Sequence, residues 1–263
     1  KRLGYSDADI AAYIPNLGHT CWWLFGNLEG EGGPLPQDVI EGEAELGRRI
    51  ADRMRDFGIE PIVYGYVGLV PNSFPNYFPA ATVIDQGQWL NYARPDVLSP
   101  LDPQFAPTAA IWYEELEAVY GPVKFLSGDL FHEGGNTGGL NLSAAAAAVQ
   151  AEMQAAIPGS IWVIQSWGGT PNSSLVAGTS IEHTLIQQLI SNLSTGEGEG
   201  GGFRTYQGRS WTWNEISNFG GNNGLYGNLQ VLANLPNQLL NRTDLGRFSG
   251  IGAFMEAIEL NPI

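Results

Sequence analysis

The fold is indicated most clearly by the stretch 123–167, which reads VKFLSGDLFHEGGNTGGLNLSAAAAAVQAEMQAAIPGSIWVIQSW. The apolar run from Val123 to Phe131 predicts a buried strand. The alanine-rich segment that follows, capped by Ser143 and ended by Pro158, predicts a helix. A second apolar run, Ser160 to Trp167, predicts the next strand. Strand, helix and strand in this order are typical of a parallel sheet.

The same alternation of helices and strands continues on both sides of this stretch. Before it, apolar residues spaced by three or four mark one face of a helix at about 39–57, and Pro61 to Val67 predict a buried strand. After it, Ile181, Leu185 and Leu189 recur every four residues and predict a helix from Ser180 to Leu193. The other predicted elements are a short helix capped by Ser6 or Asp7, a helix at about 108–120, and strands at 209–216 and 248–255.

These elements predict an α/β fold built on a parallel sheet. Polar residues cluster just past the carboxyl ends of the strands, which favours a (β/α)8 TIM-type barrel over an open, doubly wound sheet. The chain has 263 residues, about the length of one such barrel, so we expect residues 1–263 to form a single domain. Five strands are apparent in the sequence, fewer than a complete barrel has.

Composition excludes several classes of partner and cofactor. The net charge of −15 argues against nucleic acid and against anionic membrane surfaces. One cysteine, Cys21, and three histidines far apart in sequence make a disulfide framework or a zinc site unexpected. Neither a Gly-x-Gly-x-x-Gly motif nor a Walker A motif follows a predicted strand, so no nucleotide cofactor is expected. No apolar run is long enough for a membrane span, and no signal peptide is visible.

Two glutamates stand just after predicted strands, at the edge where active sites of parallel sheets form. Glu133 follows the strand that ends at Phe131, and Glu256 directly follows Met255. Glycoside hydrolysis requires such a pair, because one carboxyl protonates the leaving oxygen while the other attacks the sugar or activates water. Glu259 and Asp129 are alternative carboxyls, although Asp129 alternates into the strand and is expected to support the site.

Aromatic, amide and imidazole side chains in the same segments suit a sugar ligand, because aromatic faces pack on sugar C–H groups and amides bond to hydroxyls. Each has a plainer interpretation as well: a tryptophan can be a core residue, the Asn- and Gly-rich run 218–224 can be a turn, and a histidine can be incidental in a loop. The predicted substrate-binding residues are Trp22, Asn27, His132, Trp167, Trp213, Asn218, Asn222 and Tyr226.

Three motifs resemble glycoside hydrolase family 89, the α-N-acetylglucosaminidases. They are FGNL at 25–28 with GGPLP at 32–36, NFGGN at 218–222 with GLYG at 224–227, and the final stretch 250–262 that contains Met255-Glu256. The resemblance implies a (β/α)8 catalytic barrel that removes terminal α-linked N-acetylglucosamine with retention, without a cofactor. By motif, Glu133 would be the acid/base and Glu256 the nucleophile.

The resemblance also implies the setting of the protein. Family substrates are heparan-type chains in animal lysosomes and mucin-type glycans in bacteria, so a secreted, periplasmic or lysosomal location is expected. The family barrel begins before Lys1 and a helical domain follows Ile263, so we expect this chain to be a fragment of a longer, multidomain protein. Nothing in the sequence indicates an oligomeric state.

Two departures from the family pattern affect the interpretation. His132 stands where the family commonly has asparagine, and the Gly-rich run Thr195 to Gly202 stands where the family has a strand. The barrel is therefore expected to be partial, or to have one strand unit replaced by this run. The leading hypothesis is a retaining exo-glycosidase. The alternatives are a non-catalytic carbohydrate-binding barrel and an inverting glycosidase.

Overall fold

The computed structural model describes residues 2–167, 169–190, 205–217 and 229–255. In chain order the strands are β1 (Ile62–Tyr64), β2 (Leu69–Val70), β3 (Val83–Ile84), β4 (Gln88–Trp89), β5 (Tyr92–Ala93), β6 (Asp96–Leu98), β7 (Phe125–Ser127), β8 (Ile161–Ser166), β9 (Thr184–Ile190), β10 (Ser210–Ser217) and β11 (Phe248–Met255). The α-helices are α1 (Asp7–Tyr13), α2 (Thr20–Leu24), α3 (Gln37–Asp56), α4 (Phe74–Tyr77), α5 (Phe105–Tyr120), α6 (Leu142–Ala156), α7 (Ser173–Gly178) and α8 (Leu229–Leu240).

A parallel sheet organises the described residues. Its six strands have the order β1-β7-β8-β9-β10-β11, and every pair of neighbours is parallel. Sequential strands are neighbours, with α5, α6, α7 and α8 in the connections, as the right-handed βαβ units of a barrel require. The segment between β1 and β7 also carries two small antiparallel sheets, β2-β6-β3 and the hairpin β4-β5.

The two faces of the parallel sheet differ in chemistry, because successive side chains of a strand alternate between them. One face is apolar and packs with α5 and α6 in the hydrophobic core; it carries Val63, Leu126, Trp162, Ile164, Ile186 and Trp211. The other face mixes polar and apolar residues: it carries Tyr64, Ser127, Gln165, Gln187 and Thr212, and also Val163 and Leu189, which are buried. This mixed face lies opposite the one that packs with α5 and α6, as the inside of a barrel does.

Most predicted elements are confirmed with adjusted bounds. The strands predicted at 61–67 and 123–131 are shorter, because their ladders stop at Tyr64 and Ser127, and the strand predicted at 248–255 has the expected bounds. Ser6 caps α1 as predicted, accepting a hydrogen bond from the Asp9 N–H. The cap of α6 is Asn141 rather than Ser143, since its side-chain oxygen accepts the Ala144 N–H at 3.1 Å.

The helix predicted from Ser180 to Leu193 is wrong. Residues Thr184–Ile190 form β9, which pairs with β8 on one side and β10 on the other. A central strand is covered on both faces, so its apolar residues need not alternate, and a spacing of four can arise by coincidence. The strand that was missing from the predicted elements is therefore β9. It precedes the Gly-rich run at 195–202, which lies outside the described residues.

Within the described residues the sheet has two edges, β1 and β11. Beside β1 lies an apolar cavity of about 620 Å³, lined by side chains of α3, β1 and α5 that include Ile50, Met54, Ile62 and Trp112. None of the helices in the described segments is both long and apolar enough to span a membrane.

Candidate active site

The site is built around Glu133, which follows β7 in a short turn of 3-10 helix, His132–Gly134. Its backbone is left-handed, with φ 45° and ψ 47°, and so is that of Phe131, with φ 59°. Residues other than glycine rarely adopt this region, and each such residue costs on the order of 1–3 kcal/mol. Neighbouring groups must therefore hold the turn in place.

Two side chains from other elements bind the Glu133 carboxyl. The Asn27 amide, just after α2, donates its N–H to Oε2 at 2.8 Å. The Trp167 indole, just after β8, donates its N–H to Oε1 at 2.9 Å. Both carboxyl oxygens therefore have a donor, and the carboxyl is fixed at the carboxyl ends of β7 and β8. Glu133 is only half-buried, so solvent reaches it.

Arg94 holds the backbone of the same turn. Its guanidinium donates to the carbonyl oxygens of His132 and Glu133, each at 2.9 Å, and to the carbonyl oxygen of Gly26 and the side-chain oxygen of Asn27, each at 3.2 Å. The side chain is 2% exposed. Burial lowers the pKa of Arg94, and the nearby Glu133 charge opposes this shift.

His132 lies in the interior, with 3% of its surface exposed. Its ring stacks on Phe25 with 5.0 Å between centroids, and its Nδ1 lies 3.5 Å from a carboxyl oxygen of Asp129. Burial lowers the pKa of His132 to about 4, although Glu133 opposes the shift, so the imidazole is neutral at pH 7. The structure thus places His132 in the packing beneath the turn rather than on an open, sugar-facing surface.

Asp129 has the supporting place that the sequence indicated. It is buried, and its carboxyl accepts the backbone N–H of Gln165 at 2.9 Å, which ties the segment after β7 to β8. Burial raises the pKa of Asp129 to about 7, and the Gln165 hydrogen bond acts in the opposite direction. The carboxyl is therefore protonated over much of the acidic range.

The other predicted site residues have different fates. Trp22 is half-buried in α2, and its carbonyl oxygen accepts the Asn27 N–H at 2.8 Å, so it lies one turn from the Glu133 contact. Trp213 does not join the site: it is 2% exposed and belongs to the hydrophobic core, because alternation along β10 turns it toward the helices. Glu256, Glu259, Asn218, Asn222 and Tyr226 lie outside the described residues.

Of the residues predicted for the site, the structure brings Glu133, Asn27 and Trp167 into contact, and the neighbouring Arg94 was not predicted. The one available signal was scarcity, since the chain has only 12 Lys and Arg in total. As for metals, no group of three or more His, Cys, Asp or Glu residues placed to hold an ion occurs in the described ranges.

A parallel βα sheet with candidate site residues at the carboxyl ends of its strands is the architecture of TIM-barrel domains. The family model described as the α-N-acetylglucosaminidase (NAGLU) TIM-barrel domain matches residues 1–263, and the chain belongs to this family. The predicted fold class is thereby confirmed.

Relatives and solved structures agree with this assignment. Human α-N-acetylglucosaminidase is 28% identical over 251 residues, which cover 89% of this chain and 33% of the human protein. The family 89 glycoside hydrolase from Clostridium perfringens in complex with PUGNAc superposes with a TM-score of 0.89 at 35% identity, covering 99% of this chain and 30% of that one. This chain therefore spans about a third of the length of these relatives.

A second structure of the Clostridium perfringens enzyme gives the same likeness at 34% identity, with a TM-score of 0.89 and the same coverage. It is a variant in which two glutamates are replaced by glutamine, in complex with its substrate GlcNAc-α-1,4-galactose.

Proposed function

We propose that the protein containing this chain is a retaining exo-glycosidase that hydrolyses terminal α-linked N-acetylglucosamine. The observation that carries the proposal is the Glu133 carboxyl, held at the strand ends by Asn27 and Trp167 on a residue that is only half-buried. Membership of the α-N-acetylglucosaminidase TIM-barrel family supports the substrate class. So does the bound substrate of the Clostridium perfringens relative, which carries an α-linked N-acetylglucosamine.

The proposed mechanism is a double displacement. Glu133, protonated, gives its proton to the glycosidic oxygen while the Glu256 carboxylate attacks the anomeric carbon, so that the bond to the leaving group breaks and a glycosyl ester forms. Glu133, now a carboxylate, then removes a proton from water, which attacks the same carbon and releases the sugar and Glu256. Two displacements at one carbon retain its configuration.

Asn27 and Trp167 orient the Glu133 carboxyl for both steps. Each donates to a different oxygen, so the plane of the carboxyl is fixed relative to the strand ends. When one oxygen carries the proton, the donor facing the other oxygen still holds the group. The polar residues on the inner face of the sheet, with their amides and hydroxyls, suit a sugar ligand.

The setting follows from the substrate. Glycans with terminal N-acetylglucosamine, such as heparan-type or mucin-type chains, occur outside the cytosol, and we propose that the protein acts in a secreted, periplasmic or lysosomal compartment.

The alternative of a non-catalytic sugar-binding barrel rested partly on a missing strand. Since β9 occupies a central place in the sheet, that argument no longer favours it.

The test is hydrolysis of an aryl α-N-acetylglucosaminide by Glu133→Gln and Glu256→Gln, in the protein with any native sequence that flanks residues 1–263. We expect each substitution to remove most turnover, on the order of 10²-fold or more. Glu215→Gln is the matched control. Glu215 is a buried glutamate near the end of β10, on the side of the sheet that faces the helices. Burial raises the pKa of Glu215, which favours the neutral carboxyl, and glutamine is a neutral group of similar shape. Near-normal rates for both site variants would refute the proposal.

Azide separates the two roles. With a good leaving group, a Glu133→Ala variant needs no acid, and azide can replace the water that the base would activate, so turnover should recover with a glycosyl azide of retained configuration. Azide attacking in place of Glu256 should give the inverted glycosyl azide. The opposite pairing of products would reverse the two assignments.

A further inference from the structure

Arg94 joins the two segments that form the candidate site. The residue follows β5, and its guanidinium reaches Gly26 and Asn27 after α2 on one side and the turn of His132 and Glu133 after β7 on the other. These segments are more than a hundred residues apart in sequence. One planar group therefore sets the distance between the Asn27 amide and the Glu133 backbone.

The acceptors of Arg94 are unusual for a buried cation. In the described part of the chain they are three backbone carbonyl oxygens and one amide oxygen, with no carboxylate oxygen among them. Burying a guanidinium without a directly bonded anion is costly, so the cation depends on these four oxygens being in place. Conversely, the oxygens are drawn together by the cation, and the left-handed backbone at Glu133 is held by it.

The segment that carries Arg94 also contacts the loop of Glu133 at a second point. The Gln86 carbonyl oxygen accepts the Asn136 N–H at 3.2 Å, and the Gln86 amide donates to the Pro95 carbonyl oxygen at 2.7 Å. A side chain at Gly135 would meet the Gln86 side-chain oxygen at 2.5 Å, so the two segments are packed without spare room. Residues 86–95 thus hold the loop 132–136 by hydrogen bonds at both of its ends.

We propose that Arg94 is a positioning residue for the proton-transfer step: by holding the Glu133 backbone and the Asn27 side chain together, it aims the Glu133 carboxyl at the glycosidic oxygen. The inference rests on the proposed function, in which Glu133 is the acid/base. Arg94 itself need not touch the sugar. Its removal should let the left-handed turn relax and displace the carboxyl, and a displacement of about 1 Å at a catalytic group can cost on the order of 10²-fold in rate.

The experiment measures kcat/KM for aryl α-N-acetylglucosaminides whose phenol leaving groups span a range of acidity, in the protein with any native flanking sequence. Glu133→Gln is the reference, because loss of an acid catalyst matters most when the leaving group is most basic. We expect Arg94→Gln to follow the same trend. Its loss should be less than about 10-fold with the most acidic phenol and about 100-fold with the least acidic one, with little change in KM for the former.

Arg94→Lys is the second variant, and it carries the test should Arg94→Gln fail to fold. Lysine keeps the charge, but an ammonium lacks the planar fork that reaches both segments at once. We expect a smaller loss with the same dependence on the leaving group.

Arg209 offers a matched control for loss of a buried guanidinium. It too is buried and donates to backbone carbonyl oxygens, those of Ala177, Thr179 and Gln207, but it lies at the amino end of β10, away from the strand ends that carry Glu133. Arg209→Gln should lower stability, and any loss of rate should be the same for every leaving group.

The outcomes separate the two proposals. A uniform loss for Arg94→Gln and Arg94→Lys, like that of Arg209→Gln, would overturn the positioning role while the trend for Glu133→Gln left the acid/base assignment standing. Absence of the trend for Glu133→Gln itself would overturn the proposed function and the role of Arg94 with it. The trend in both Glu133→Gln and the Arg94 variants establishes the positioning role.

Discussion

At the scale of single residues, the site depends on a glutamate whose backbone conformation is unfavourable by itself. Glu133 is left-handed, and the cost of that conformation is met by hydrogen bonds to its carbonyl oxygen from Arg94 and to its carboxyl from Asn27 and Trp167. Three groups from three parts of the chain therefore fix one side chain. These contacts fix the orientation of the Glu133 carboxyl even though the residue is only half-buried.

We expect the carboxyls of Glu133 and Glu256 to lie about 5–5.5 Å apart, the separation typical of retaining glycosidases. The reason is that Glu256 must reach the anomeric carbon itself, without a water between them. A crystal structure of the protein with an N-acetylglucosamine-like inhibitor would measure this distance. A separation of about 6.5–9.5 Å would indicate inversion, and a much larger one would remove Glu256 from the mechanism.

Asp129 gives a prediction about pH. The unfolded chain loses this proton near the ordinary pKa of 3.8, whereas the folded protein keeps it up to a pKa of about 7. Stability contributed by the buried acid is therefore complete below about pH 4 and is lost as the pH rises toward 7. Asp129→Asn keeps the acceptor for the Gln165 N–H but cannot ionise. At pH 8 it should raise the free energy of unfolding by roughly 4 kcal/mol.

Urea unfolding at pH 4 and pH 8 measures this difference, which should be small at pH 4. Replacing the exposed Asp56 by asparagine controls for the loss of one negative charge. An equal effect of Asp129→Asn at both pH values would show that the carboxyl is ionised in the folded state.

What the sequence could reveal about these residues depended on their partners. Glu133, Asn27 and Trp167 were predictable because their types suit sugar chemistry and they lie in motifs or at strand ends. Arg94 was not, because its partners are mostly backbone oxygens, which every residue has, and such contacts leave no pattern in the chain. His132 was predicted to contact the sugar because it stands next to Glu133, and its stacking on Phe25 leaves no pattern in the sequence.

At the scale of elements, β9 shows where periodicity misleads. The sequence places Ile181, Leu185 and Leu189 on one helical face, but in the structure Ile181 is exposed, while Ile186 and Ile190, off that face, are fully buried. A strand between two others obtains its hydrogen bonds from β8 and β10 rather than from itself, so local spacing does not determine it. The other five strands of the parallel sheet were predicted, whereas the short strands β2 to β6 were not.

The strand assignment predicts unequal effects of two isoleucine substitutions. Ile186→Ala removes a fully buried side chain from the core and should lower the free energy of unfolding by about 2–5 kcal/mol. Ile181→Ala should change it by less than about 1 kcal/mol, because that side chain is largely exposed. Chemical denaturation of both variants measures the difference. A helix over 180–193 would reverse the order.

At the scale of the whole molecule, the parallel sheet is open in the described residues. Strands β1 and β11 each have one unpaired side there, and the cavity of about 620 Å³ beside β1 has an apolar lining. Exposed parallel edges are a route to aggregation, and a closed barrel has none. The alternation of helices and strands predicted the class of fold, but closure depends on strands that are distant in sequence and is not visible in local patterns.

We therefore expect residues 1–263 expressed alone to be less stable and less active than the same residues with any native flanking sequence restored. Added strands would cover the β1 edge and fill the adjacent cavity. Thermal unfolding, binding of a hydrophobic dye and hydrolysis of an aryl α-N-acetylglucosaminide compare the two forms. Equal stability and equal activity would mean that this chain closes its sheet without further strands.

The left-handed turn at Glu133 sets selection for turnover against selection for stability. Glycine is the residue that this backbone conformation favours, and placing it there would relieve strain on the order of 1 kcal/mol. The same change would delete the carboxyl. A lineage that did not need the proposed hydrolysis could shed this strain by a change at one codon, but the Asn27 and Trp167 N–H groups would then lose their acceptor, which offsets the gain in stability.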